Sequence, residues 1–355
     1  MAQFISGLLK MKGIELSEAF FNNCIFPILK SNFPEVLDSI SAAILGDGSE
    51  VLGFDDHISH DHNYTPRVIL FLDDGRYDQY ADELKEKLYQ FIPKEFNGFK
   101  LMNNKYRKSL DIVPLKRYFL DYLGISNFPV PNYDWLKLDE QKLLELTSGK
   151  IFYVPHGKLE EIRTKFSFYP EAVRYFLLHQ SFVRLSEVCG IERSILRNDN
   201  IATDFYRSFF IYFSIKIVHL YKKRYCPYRK WMGKNLINLD EEGLKLKKKI
   251  DCLVKNNDLH KIRIKIKEIS EFLMTLIFDE LHYEFSNLGE DEELYLLNFS
   301  DDIFNALKSE IPPELLNLSP VISPKSYWGM LFDLDGLGSS FRGTLIENID
   351  FIEGR

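Results

Sequence analysis

The sequence predicts an α+β protein in which a small mixed-sheet domain is followed by a mostly helical one. Three observations lead there. Short apolar runs bounded by turn residues occur only in the first third, interleaved with one helical period. From Trp135 onward, long helical patterns follow one another almost without interruption. Between these regions stands SNFPVPNYD, a Pro- and Asn-containing stretch that reads as a linker, placing the boundary near 125–135.

The elements follow in order. Residues 1–45 read as two helices punctuated by Pro27 and Pro34, the second running from about Glu35 to Leu45 and ending at Gly46. The stretch GDGSEVLGFDDHISHDHNYTP is rich in Gly, Asp and His and has no helical period. Arg67 to Leu72 (RVILFL) is a short apolar run between turn residues, hence a buried strand. After Asp73-Asp74-Gly75, the spacing of Tyr80, Leu84, Leu88 and Phe91 predicts a helix over 77–91. Strands are expected near Phe99–Asn103 and Ser109–Leu115, then a helix from Lys116 to Tyr122 closed by Gly124. This order makes a small α/β unit with a mixed sheet over 1–130. The helical domain spans 131–351, with helices over 139–148, 157–166, 170–188, 201–224, 240–254, 258–285 and 301–309. Aromatics such as Phe209, Phe210, Tyr212 and Phe213 supply its core. Residues 352–355, IEGR, match a protease-cleavage linker and carry no weight.

Composition narrows the function classes. With 355 residues, 45% hydrophobic and 27% charged, the chain can bury a core over most of its length. A net charge of −7 argues against nucleic-acid binding by bulk charge. Two local runs oppose that sign: 222–234 holds six basic residues and no acid, and 245–267 holds nine basic against two acidic. They read as a solvated helix face or as a patch for phosphates, RNA or an acidic partner. Cys24, Cys189, Cys226 and Cys252 lie far apart and form no CxxC pair, which argues against a disulfide framework or a Cys-based zinc site. The N-terminus lacks a signal-peptide pattern, and the apolar stretch Phe209 to Leu220 is interrupted by Lys216 and His219. A soluble, cytoplasmic protein with no membrane contact is expected.

The residues able to carry chemistry gather between Gly46 and Asp111. Gly48-Ser49 opens a turn whose backbone N–H groups and hydroxyl can meet phosphates. Asp61 and Asn63 stand two apart before a strand, on one face if extended. Asp111, in the later run SLDIVPL, can join them if the strands are neighbours. Carboxylates so arranged hold hard divalent cations, which serve phosphoryl and nucleotidyl transfer. The cluster of His57, His60 and His62 offers a weak transition-metal reading beside that of a hydrogen-bonded loop. The run MLFDLDGLGSS (330–340) looks like an aspartyl-phosphatase motif but has too little chain after it for that fold.

On these motifs the chain resembles the nucleotidyltransferase-like family known as domain of unknown function 4037. The run GDGSEVLGFDDHISHDHNYTPRVILFL is close to that family's GSxxLGxDDxxSxDHDxxPRVxLFL. DWLKLDEQKLLELTSGKIFY (134–153) resembles its central segment, and RYCPYRKWMG (224–233) a signature in its helical half. Arg193 and Asp199, six apart, echo its Arg…Gly-Asp motif. The resemblance implies a polymerase-β-type nucleotidyltransferase fold joined to a helical domain, related in plan to antibiotic nucleotidyltransferases. It implies in-line attack by an acceptor hydroxyl on the α-phosphate of a nucleoside triphosphate. Mg²⁺ or Mn²⁺ would be held at Asp61, Asn63 and Asp111, with Gly48-Ser49 on the triphosphate. Asp199 is the candidate general base or acceptor-orienting carboxylate. Arg193, Tyr225, Tyr228, Lys230 and Trp231 are candidate nucleotide contacts, by stacking or charge; Tyr225 and Trp231 serve equally as anchors of their loop. One position departs: Asn63 stands where the family has Asp, which removes a negative charge from the metal site and makes a catalytically weakened, nucleotide-binding descendant the alternative.

Overall fold

The computed structural model describes residues 11–60, 64–283 and 299–316. The chain forms two compact units: 1–128 with 142–167, and 129–141 with 168–355. The fold is α+β, with a small mixed sheet in the first unit and helices making up the second.

In the first unit the strands β1 (Ile40–Ile44), β2 (Val68–Leu72), β5 (Leu110–Pro114) and β6 (Lys150–Tyr153) form one sheet, in the order β5-β2-β1-β6. β1 runs antiparallel to both β2 and β6, and β2 runs parallel to β5. The period-2 alternation of the pleat sorts side chains onto two faces. Ile40, Ala42, Val68, Leu70, Leu72, Leu110 and Ile112 share one buried cluster with Phe20, Phe21, Leu29, Leu84 and Leu88. Those partners come from the helices Gly13–Phe20, Phe26–Asn32 and Asp74–Phe91 and from the turn linking the first two. On the opposite face Phe71 meets Tyr118 edge-on at 5.2 Å between ring centroids, and Phe119 at 6.5 Å. Strands β3 (Glu95–Phe96) and β4 (Phe99–Lys100) make a separate hairpin around Asn97-Gly98, both at positive φ. That dipeptide favours a two-residue turn and fixes the start of β4, which ends at Lys100, short of the Phe99–Asn103 expected, because its partner β3 is only two residues long.

Two expectations from sequence are corrected here. The segment read as a helix from Glu35 to Leu45 is a short 3₁₀ helix, Pro34–Ser39, followed by β1. Ala42-Ala43 favours a helix locally, but pairing on both edges and burial of all five residues of β1 override that preference. The chain also does not pass once from sheet to bundle near 125–135. Residues 142–167 return to the first unit, because Lys150–Tyr153 hydrogen-bonds to β1. Gly149 makes the return feasible: its φ is +76°, and a Cβ there would stand 2.0 Å from the Ile44 carbonyl oxygen.

In the second unit the helices expected from periodicity appear as Glu171–Leu185, Asn200–Tyr221, Asp240–Val254 and Leu259–Leu281. Val173, Phe176, Phe182, Phe210, Ile217, Leu246, Ile262, Ile269 and Leu273 are buried among them. The four cysteines are free. Among the described residues no helix is long and apolar enough to cross a membrane.

Candidate functional site

Strand directions decide what meets at the sheet. Because β1 and β2 are antiparallel, with Ala43 opposite Ile69, the end of β1 lies beside the start of β2. Because β2 and β5 are parallel, with Ile69 opposite Asp111, the start of β5 lies there too. The Gly46–Ser49 turn, which leaves β1, and Asp111, which opens β5, are therefore brought to one end of the sheet. Asp61, His62 and Asn63 lie outside the described residues, as do residues 330–340.

The turn is built on glycines. Gly46 has φ +88° and donates its N–H to the Glu145 carbonyl at 3.0 Å; Gly48 has φ +128°. Val51 and Leu52 donate to the Gly48 carbonyl and Phe54 to that of Ser49, which closes the turn upon itself. Tyr122 donates its hydroxyl to the Glu145 carboxylate; burial first, then the Glu145 charge and this bond, push the phenol well above its usual range.

Asp111 is half-buried. The Lys108 ammonium donates to both of its oxygens, at 3.0 and 3.1 Å, and the Ile112 N–H donates to Oδ1 at 3.1 Å. A hard-oxygen donor already engaged by a cation suits a divalent metal. Among the described residues no group of three or more His, Cys, Asp or Glu is arranged to hold one.

Sequence reasoning passed over the residues that line the turn. Arg67 and Arg107 converge there on Asp47 and Glu50. Burial, followed by the like charge of Arg67, lowers the Arg107 pKa from its ordinary value. The one signal available in sequence was Arg67 standing directly before a fully apolar strand, a place where a charge needs a partner.

The remaining candidates belong to the second unit. Asp199 is the N-cap of helix Asn200–Tyr221, accepting the Ala202 N–H at 3.0 Å on Oδ1. Arg193 is exposed. In Arg224–Gly233 the aromatics divide by burial. Tyr225 and Trp231 are 4% and 5% exposed, whereas Tyr228 is 40% exposed. Tyr225 packs against Phe168 and Tyr169, with centroids 5.1 and 5.0 Å away. Lys230 is exposed, with its ammonium 4.9 Å from the centre of the Trp231 ring. The backbone N–H groups of Cys226 and Tyr228 are taken by the side chains of Glu140 and Gln141. Tyr225 and Trp231 thus act as anchors, while Tyr228 and Lys230 keep a surface to offer. Residues of both basic runs pair with acids: Lys222 with Asp240 and Glu242, Lys223 with Glu171, Lys245 with Glu241, Lys247 with Asp251, Arg263 with Glu192 and Lys265 with Glu268.

Residues 135–232 match the family model for domain of unknown function 4037. The likeness drawn from sequence holds over this segment, which contains the 224–233 signature up to Met232; the Gly46–Leu72 motif precedes it. A solved nucleotidyltransferase-like protein from Exiguobacterium sibiricum 255-15 is similar at 11% identity with a TM-score of 0.33. That alignment covers 80% of this chain and 91% of that one. No curated protein matches.

Within the second unit a buried histidine joins the helix Asn200–Tyr221 to the helix Arg229–Asn235. His219 takes the Asn235 amide N–H on Nε2 at 3.1 Å, so its Nδ1–H donates to the Ile215 carbonyl at 2.9 Å and the ring is neutral. Burial lowers its pKa from 6.5 to about 4. The unfolded chain therefore binds this proton at higher pH than the folded one, and stability falls as pH drops from about 6.5 towards 4, by up to ~1.4 kcal/mol per unit. Thermal melts between these limits should show His219→Gln with a flatter acid slope than wild type. Parallel slopes would remove the histidine as the cause.

Proposed function

We propose that the first unit is the nucleotide-binding, catalytic half of a metal-dependent nucleotidyltransferase. It moves a nucleoside monophosphate from a nucleoside triphosphate to an acceptor. The observation that carries this reading is the convergence of the Gly46–Ser49 turn and Asp111 at one end of the sheet, where β2, the strand that follows Asp61 and Asn63 in sequence, also begins. A turn with Gly48 at φ +128° lets backbone N–H groups come close to phosphate oxygens without a Cβ in the way. Asp111, Asp61 and Asn63 would hold Mg²⁺ or Mn²⁺ through oxygen, and in place of Lys108 the ion would engage the Asp111 carboxylate. Such an ion, when bound, lowers the charge penalty at the α-phosphate and the leaving pyrophosphate. In the second unit we assign ligand contact to the exposed Tyr228 and Lys230 rather than to Tyr225 and Trp231. Asp199 is assigned to orienting the acceptor, through the oxygen that does not cap the helix, and Arg193 to contact with the nucleotide.

The test is incubation with α-labelled triphosphates, Mg²⁺ or Mn²⁺ and a broad acceptor panel. Label transfer and pyrophosphate release are expected; absence of both nucleotide binding and pyrophosphate release sinks the proposal. Nucleotide bound but never consumed, with turnover appearing in Asn63→Asp, would select the second reading: a descendant weakened by the missing carboxylate.

A further inference from the structure

Two arginines from separate parts of the first unit form a fork over the Gly46–Ser49 turn. Arg67 Nε and Arg107 Nη2 each stand 3.0 Å from the same oxygen, Glu50 Oε1. Their other nitrogens turn to Asp47. Arg67 Nη1 lies 3.3 Å from Oδ1, Arg107 Nη1 lies 3.1 Å from Oδ2, and Arg67 Nη2 donates to the Asp47 carbonyl at 2.6 Å. The two carboxylates differ in kind. The Glu50 side chain is 6% exposed, while that of Asp47 is 72% exposed. A buried carboxylate shared by two guanidinium groups is a fixed strut. An exposed one is screened by water and readily exchanged for a stronger anion.

Gly48 stands between these two acids. A Cβ on it would meet the Glu50 carboxylate at 2.5 Å, so any side chain would displace the strut. Among the described residues the N–H groups of Gly48 and Ser49 donate no hydrogen bond, so two further donors stand on the same turn. We propose that Arg67 and Arg107 clamp the terminal phosphates of a bound triphosphate, and that the Asp47 carboxylate is a stand-in which the phosphate displaces. This rests on reading the first unit as a nucleotide site and names which residues hold the polyphosphate. Guanidinium forks match phosphate oxygens bidentately, and a polyphosphate brings more charge than one carboxylate. Glu50 stays behind and keeps both forks aimed as Asp47 leaves.

The probe is inorganic tripolyphosphate, titrated calorimetrically into the full chain without metal or nucleoside. Wild type should bind it. Asp47→Ala removes the competitor and should tighten binding about three- to tenfold, while the Asp47 carbonyl still holds Arg67. Arg107→Lys keeps a charge but loses the fork, and should weaken binding about tenfold or more. Since Asp47 is exposed, its variant folds whatever becomes of Arg107→Lys, and a merely structural aspartate would not give tighter binding. No tripolyphosphate binding by wild type, or binding unchanged or weakened in Asp47→Ala, overturns the clamp. If the variants behave as stated yet no triphosphate is consumed, the catalytic reading fails alone. If triphosphate is consumed while Arg107→Lys changes neither tripolyphosphate binding nor the triphosphate KM, the clamp fails alone.

Discussion

Asp111→Asn should abolish nucleotidyl transfer, lowering pyrophosphate release by about a hundredfold or more, while leaving the protein folded. The substitution is isosteric and removes one negative charge. The structural duties of the carboxylate are light. Oδ1 accepts the Ile112 N–H, which an amide oxygen can also do. The pair with Lys108 is 46% and 32% exposed on its two sides, so its loss is worth at most ~1 kcal/mol. The melting temperature should therefore move by no more than a few degrees. The effect on chemistry is of another size. Removing one preorganised electrostatic contact at a reacting phosphate costs on the order of 10²–10³ in rate. Paired measurements of melting temperature and steady-state pyrophosphate release separate the two. Turnover at the wild-type rate in a folded Asp111→Asn protein would take the sheet end out of the chemistry.

The largest stability effect should come from Arg174→Ala. Arg174 is fully buried, in the helix Glu171–Leu185. Its Nε and Nη2 donate to Glu171 Oε2 at 3.0 and 2.7 Å, and its fork is bidentate to Glu280 on the helix Leu259–Leu281. Glu171 also holds Lys223 at 2.8 Å, so the arginine is the centre of a chain joining three parts of the second unit. The bond to Glu171 counts for little by itself, since that side chain is 49% exposed. The pair with Glu280, 23% exposed, is the costly one to break: truncation leaves a carboxylate without its cation and a void where the guanidinium stood. A loss of about 3–5 kcal/mol is expected, read from urea or thermal unfolding. Arg174→Met fills more of the void and should lose less. A loss under about 1 kcal/mol in Arg174→Ala would mean that Glu280 finds another partner.

Much of the fold is legible in side-chain period and turn residues. Leu84, Leu88 and the apolar run of β2 announce their elements by period alone. Gly124 announces the end of the helix Leu115–Leu123 and does sit in the left-handed region. Ile40–Ile44 could not be read this way, since its short Ala-containing run suits either structure until strands are present on both sides of it. Trp231 and Tyr228 are equal as residue types; only burial separates an anchor from a surface able to meet a ligand.

Local sequence specified β2 and the helix that follows it, the long helices of the second unit, the glycine turn after residue 45 and the strand bearing Asp111. These are local properties, written in side-chain period and turn chemistry over a few residues. The tertiary structure decided the return of Lys150–Tyr153 to the sheet, the place of Asp111 beside the glycine turn, and the meeting of Arg107 with Glu50 across 57 residues of chain. Each depends on a partner distant in sequence. A charge is committed to a burial site only when its counter-charge is brought there by the fold.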